Sequence, residues 1–305
     1  MVRSRECDIY RVTIAGSIIN IALVIFKFTA GILGHSAAMI ADAVHSLSDF
    51  LTDLVVIILV KLSSKPQDKD HDYGHGKYET LATAIIGIAL LGVGAIICYN
   101  GITKTWQAIQ GQPLQQPGLI ALIAAVLSIV FKEWAYRFTY RVGKRVDSEA
   151  VIANAWHHRS DAFSSIGTAL GIGGAIVLGS HWAVLDPIAA IIVSFFILRT
   201  AYQLVRQATG ELTEKSLPDD IEDEIIKIAE SEEGVSGFHH LQTRKIGNEI
   251  AIDMHVRMPG EMTLYASHQH ATNIENRLKE RFGEKTHVGL HVEPVKVEGL
   301  YKKPG

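Results

Sequence analysis

Ala41-Asp42-Ala43-Val44-His45-Ser46-Leu47-Ser48-Asp49 sits inside an apolar run from residue 37 to residue 60. A second stretch, His157-His158-Arg159-Ser160-Asp161, sits inside the apolar run 149–179. His45 and Asp49 are four residues apart, as are His157 and Asp161, so on a helix each pair shares one face. Crossing a bilayer takes about 20 mostly apolar residues in helical form. Six segments meet that length: 12–34, 37–60, 80–103, 118–140, 149–179 and 183–206. They predict an α-helical membrane domain of six transmembrane helices over residues 1–206. Arg3 and Arg5 precede the first run, which nevertheless is too long for a signal-peptide core and is followed closely by another apolar run.

The short loops give the orientation. Arg3, Arg5 and Arg11 precede the first span. Lys61, Lys65, Lys69 and Lys77 lie between the second and third, and Arg141, Lys144 and Arg145 between the fourth and fifth. The alternate loops, near His35, from Gln107 to Pro117 and at Ser180 to Trp182, carry no Lys or Arg. By the positive-inside rule both termini are cytoplasmic. The expectation is an integral protein of a lipid bilayer, the bacterial inner (plasma) membrane. The net charge of −3 offers no basic field for nucleic acid. Cys7 and Cys98 are far apart and lack a CxxC partner, which excludes a disulfide framework and a thiolate metal site.

Residues 207–305 read as a separate soluble domain rich in Asp, Glu, Lys and His. A charged amphipathic helix is expected over 219–231, opened by Pro218 and Asp219–Asp220. Strands are expected over 238–246 and 249–257, joined at Gly247–Asn248. Leu264, Ala271, Ile274 and Leu278 recur at helical spacing over 264–282, and a final strand alternates over 286–293. The order α-β-β-α-β predicts a small α+β, ferredoxin-like domain, with helices on one face of an antiparallel sheet.

A charged side chain in the bilayer interior costs on the order of 2.5–3.5 kcal/mol on insertion scales, so two matched His-x-x-x-Asp pairs there argue for use rather than packing. Two helices each offering an imidazole and a carboxylate close a four-ligand shell of His45, Asp49, His157 and Asp161. Zinc favours such tetrahedral nitrogen and oxygen sets, whereas calcium and magnesium prefer oxygen. Ser46, Ser48, Ser160 and Ser164 suit either hydrogen bonds behind the ligands and a water path or plain helix packing. Asp42 and Asp53 share the ligand face but stay outside the shell, as residues of the outer mouth and inner approach or as local caps and pairs. Lys27 and a Lys132–Glu133 pair are also embedded, and snorkelling and local pairing account for them. Gly167-x-x-x-Gly171 permits close helix packing.

On these motifs, the six-span layout and the α+β tail, the sequence resembles the cation diffusion facilitators over nearly its whole length. The resemblance implies a homodimer that exports a divalent metal ion from the cytoplasm by alternating access, in exchange for protons. Members with Asp in place of His45 handle cadmium, iron or manganese more broadly; His at this position implies Zn2+. A metallochaperone-like tail is also implied. Asp68, His71 and His75, in the loop between the second and third spans, match a second metal site of the family. In the tail, His239, His255, His268 and His291 match ligands of a binuclear zinc site, with Glu293 where members carry Asp. His291 and Glu293, two apart on a strand, share a face. Lys77 and Glu214 match a charged pair near the family's dimer interface.

Three other classes compete. A membrane metalloenzyme needs an open coordination position, and the proposed shell is filled by protein. A membrane-anchored metal sensor or scaffold needs no ligands at bilayer depth. A passive channel calls for weak constriction sites rather than a full shell. The expectation is therefore a transporter and no enzyme, with export of iron, manganese or cadmium as the nearest alternative.

Overall fold

The computed structural model describes residues 5–63, 65, 67–145, 149–247, 249–297 and 300–301; the side chains at 5–15, 52–63, 149–151, 153, 154, 157, 297, 300 and 301 lie outside the description. Six long helices come first: α1 (Arg5–Leu33), α2 (Ala37–Ser63), α3 (Lys77–Ile109), α4 (Leu119–Arg145), α5 (Glu149–Val177) and α6 (Leu185–Leu212). Then follow α7 (Asp219–Glu230), β1 (Gly237–Ile246), β2 (Glu249–Met258), α8 (Leu264–Phe282), β3 (His287–Pro294), β4 (Lys296–Val297) and β5 (Leu300–Tyr301). Two compact units result, one from residues 1–54 and 85–205, the other from 55–84 and 206–305.

The first unit holds all or most of four helical segments that, among the described residues, are long and apolar enough to span a membrane: Gly16–Leu33, Lys77–Ile109, Leu119–Arg145 and Ser180–Leu212. Its core is built from small side chains. Ala38, Ala41, Ala121, Ala124 and Ala125 are all fully buried, with Met39 and Ile172 filling between them. Lipid is as apolar as leucine, so helices in a membrane gain from close backbone approach, which small residues permit. Gly171 fits this expectation, since a Cβ there would lie 2.4 Å from Ala189 Cβ. Gly167 does not, because nothing lies within 4 Å of its would-be Cβ. Large apolar side chains such as Ile85, Ile88 and Ile96 on α3 point outward and are exposed.

The start of α2 is fixed by polar contacts. Ser36 Oγ accepts from the Met39 N–H at 3.0 Å, as an N-cap does. The Asp186 carboxylate accepts from Ser36 Oγ and from the Ala37 N–H, so the positive end of α2 rests on a buried anion.

The second unit has one core: Ile225 and Ala229 of α7, Ile252, Met254, Val256 and Met258 of β2, and Ile274 and Leu278 of α8. Thr263 caps α8, its Oγ1 accepting from the Ala266 N–H at 3.2 Å. The three-stranded sheet has the order β1-β2-β3. β1 and β2 form the expected antiparallel hairpin, but β2 and β3 run parallel, so the sheet is mixed and not antiparallel. The reason is α8: a helix between two strands of one sheet carries the chain back before the next strand begins, which makes those strands parallel. Gly76 and Gly247 meet backbone to backbone. A Cβ on Gly76 would lie 2.5 Å from Ile246 O, and one on Gly247 would lie 2.6 Å from Gly76 O. This contact seats the loop before α3 against the β1–β2 turn, within the same unit.

Candidate metal centres

His45 and Asp49 of α2 and Asp161 of α5 each offer a ligand atom within 4.8 Å of the others. The four-residue spacing explains the α2 half, because His45 and Asp49 lie one turn apart on one face. His157 lies one turn before Asp161 on α5, and its side chain is outside the described residues. His45 Nδ1 is buried with no hydrogen-bond partner among the described residues. An imidazole with a buried nitrogen left over, beside two carboxylates, is a donor set that fits a divalent metal ion. A cavity of about 460 Å³ adjoins it, lined by His45, Ser160, Ser164, Phe196, Arg199 and Gln203 among others. Two of the serines turn to their own helices: Ser48 Oγ donates to His45 O and Ser164 Oγ to Asp161 O.

The buried lysines are where the sequence reading fails. Neither snorkels. Lys27 is fully buried and pairs with Asp42, also fully buried, at 2.7 Å. Lys132 pairs not with Glu133 but with Asp161, Nζ to Oδ2 at 3.1 Å. Glu133 is instead bound by Arg137, one helical turn on. Ser46 Oγ accepts from Lys27 at 3.0 Å and from Lys132 at 3.3 Å, and Ser165 Oγ donates to Asp42. Of the roles open to Asp42, mouth, cap or pair, pairing is the one seen, although with Lys27 on another helix and not locally. Removing one partner of such a buried pair typically costs about 3–5 kcal/mol. Lys132 and Lys27 point across to other helices, and single-helix spacing carries no signal for that.

In the loop before α3, Asp68, His71 and His75 also come together. Asp68 Oδ1 accepts from the backbone N–H groups of Asp70 and His71, which folds the loop around the carboxylate. His75 Nε2 lies 3.3 Å from Asp68 Oδ2, and the His71 and His75 rings are 4.4 Å apart. The Asp70 N–H first, with His71 and His75 adding to it against some desolvation, holds the Asp68 carboxyl below its ordinary range. His75 is nearly buried, and its Nδ1 has no partner among the described residues.

The tail group lies across all three long strands. His239 on β1 is opposite His255 on β2, and His255 is opposite His291 on β3. Glu293 reaches back to all three, 3.3 Å from His239 Nε2, 3.0 Å from His255 Nδ1 and 3.8 Å from His291 Nε2. His239, His255 and Glu293 meet the spacing of a metal site within one chain. The longer glutamate therefore still reaches the histidines. Burial, with the Arg257 charge behind it, holds the His239 imidazole below its ordinary pKa, which favours the neutral form a metal needs. His268, exposed on α8, belongs to none of these groups. His240 joins where the sequence assigned it nothing: the pairing slips between His239 and Gln242, and His240 takes a φ of 51°. That bulge sets its ring 4.9 Å from His239 and 5.2 Å from His255.

Comparison with known proteins decides the family. Residues 13–213 match the cation efflux transmembrane domain and residues 217–295 the cation efflux protein cytoplasmic domain. The chain belongs to the cation diffusion facilitator family. It is similar to the manganese efflux system protein MneP of Bacillus subtilis (strain 168), 31% identical over 298 residues, or 96% of this chain and 99% of that protein. It is also similar to metal tolerance protein C1 of Arabidopsis thaliana, 32% identical over 90% of this chain and 60% of that protein. Magnetosome protein MamB of Magnetospira sp. (strain QH-2) is 30% identical over 92% of this chain and 93% of that protein. As a cation diffusion facilitator the chain is an integral membrane transporter of the divalent-metal efflux type, and not an enzyme. The Lys77–Glu214 ion pair expected from the family forms within the second unit, and Arg244 joins it 3.0 Å from Glu214.

Proposed function

We propose that the chain exports Zn2+ from the cytoplasm of a bacterial cell, across the inner membrane, in exchange for protons. Residues 1–206 form a domain of six spans and residues 207–305 a cytoplasmic domain that joins two copies as a homodimer. His45, Asp49, His157 and Asp161 hold the ion while access alternates between the two sides. What chiefly supports this reading is the meeting of His45, Asp49 and Asp161 inside the helical unit. Metal needs neutral imidazole and ionised carboxylate, so loading releases protons and protonation releases metal. Histidine titrates near physiological pH and can serve both steps. The Asp68–His71–His75 loop gathers metal at the cytoplasmic side. His239, His255, His268 and His291 of the tail, with Glu293, hold zinc that tightens the pair.

A second reading is manganese, favoured by the names of two B. subtilis relatives, the manganese efflux system proteins MneP and MneS. The donor set favours zinc over it, since two imidazoles suit zinc and manganese prefers oxygen. Uptake into proteoliposomes under an imposed pH gradient, with zinc, manganese, iron and cadmium compared, separates the two. Zinc uptake that rises with the gradient is expected. Manganese uptake without zinc uptake overturns the zinc reading, and uptake indifferent to the gradient overturns proton exchange.

A further inference from the structure

Among the described residues two ammonium groups, those of Lys27 and Lys132, are buried inside the helical unit, and the transport reading so far uses neither. Lys27 on α1 has a counter-ion of its own, Asp42, which Ser165 holds from the other side. Lys132 on α4 has, among the described residues, none outside the candidate metal group. It is 2% exposed, and the carboxylate that balances it, Asp161, belongs to the candidate metal group. A buried ammonium and a divalent cation cannot both sit against Asp161 without strong repulsion, because charges inside a protein are poorly screened. A second acceptor already holds it: Ser46 Oγ accepts from Lys132 Nζ at 3.3 Å, is shared with Lys27 Nζ at 3.0 Å, and sits one turn from Asp42 and one residue from His45 on α2.

We infer that Lys132 is a tethered cation that occupies Asp161 when the site is empty and withdraws towards Ser46 when metal enters. The inference rests on the transport reading and deepens it. In the proposed exchange the returning protons sit on the histidines, which leaves the Asp161 carboxylate to be balanced, and an unbalanced charge in a low-dielectric interior is costly. With Lys132 on Asp161 that charge stays compensated. The same exchange lowers metal affinity, because each binding event must break a buried ion pair, and it speeds release, because the ammonium competes for the vacated oxygen. Lys132 is thus a positioning residue that sets release, while Lys27 holds Asp42 out of the metal group.

The test is equilibrium dialysis of the purified full chain in detergent against zinc, and separately against manganese, in a background carrying His75→Ala, His239→Ala and His255→Ala so that the proposed loop and tail sites do not contribute. It compares that background, otherwise wild type, with the same chain carrying Lys132→Met, Lys132→Gln, Lys132→Arg or Asp161→Asn, and proteoliposome transport is measured in parallel. Removing the competing cation should tighten binding roughly tenfold or more in the Met and Gln variants. Their KM and kcat should fall together, because held metal leaves slowly. Arg, which keeps the charge, should restore wild-type affinity. A role confined to packing predicts weaker binding in both neutral variants, so the direction of the change is diagnostic, and two variants guard against one that folds poorly. Unchanged or weaker binding in both, with Asp161→Asn binding no metal, overturns the inference and leaves the transport reading standing. Binding in Asp161→Asn equal to wild type overturns both.

Discussion

Asp161 in the helical unit and Glu293 in the tail are carboxylates set beside histidines, yet different nitrogen groups meet them. Asp161 is 5% exposed and faces the Lys132 ammonium. Glu293 faces the imidazoles of His239, His255 and His291, on strands open to solvent on one side. An ammonium has no lone pair and can only compete with a metal, whereas a neutral imidazole can join it as a ligand. On the proposed reading the difference separates two tasks. The helical site is built to take and lose an ion, and the tail site to keep one.

The largest expected effect tests the helical half of that contrast. His45→Ala, Asp49→Ala, His157→Ala and Asp161→Ala should each abolish transport while the helices persist. Changes behind a ligand weaken metal sites by about 10–100-fold, so loss of a ligand should exceed that. Near-normal proteoliposome transport in any two of the four would remove the site. A smaller change is expected from His45→Asp, which replaces nitrogen by a harder oxygen. The ratio of zinc to manganese uptake should drop, on the order of tenfold; an unchanged ratio means that His45 does not set selectivity.

How far the sequence reaches follows the same division. Four-residue spacing put His45 with Asp49, and His157 with Asp161, on one face of a helix each, and the apolar repeat over 264–282 coincides with α8. These are properties of one element at a time. The parallel pairing of β3, the bulge that swings in His240 and the partner of Lys132 are properties of two or three elements together. Lysine beside glutamate in sequence suggested a local pair, but neighbours in a helix face different ways, and Asp161 on another helix won.

The tail half is tested by zinc protection of the full chain. A metal bound only to the folded tail stabilises it by about 2.7 kcal/mol at a hundredfold excess over Kd, close to a hundredfold in opening. Amide hydrogen exchange in β1, β2 and β3 should slow accordingly. The effect should vanish in His239→Ala/His255→Ala and survive in Asp49→Ala. Protection that persists in the double variant would erase the distinction between the two clusters.

The smallest effect concerns a carboxylate with no proposed metal at all, and it serves as the control for both. Glu232, 5% exposed, follows the end of α7 and meets side chains of α8. His270 Nδ1 and Asn273 Nδ2 each lie 2.8 Å from its Oε1, and Arg277 lies 2.7 Å from its Oε2. Burial alone pushes this carboxyl up, but the Asn273 and His270 hydrogen bonds and the Arg277 charge together leave its pKa below the ordinary glutamate value of 4.5. A depressed folded pKa means that ionised Glu232 stabilises the fold above 4.5 and that this contribution is lost as pH falls through the folded value. Glu232→Gln should therefore destabilise the tail at pH 7 by about 1–2 kcal/mol, the scale of a charge-assisted hydrogen bond. The gap between variant and wild type, read by hydrogen exchange on α7 and α8, should be flat from pH 7 to pH 5 and close below 4.5. Zinc should shift both proteins equally, since Glu232 is none of the proposed ligands. A gap that closes between pH 7 and pH 5 instead would show that ionised Glu232 is not what stabilises the tail.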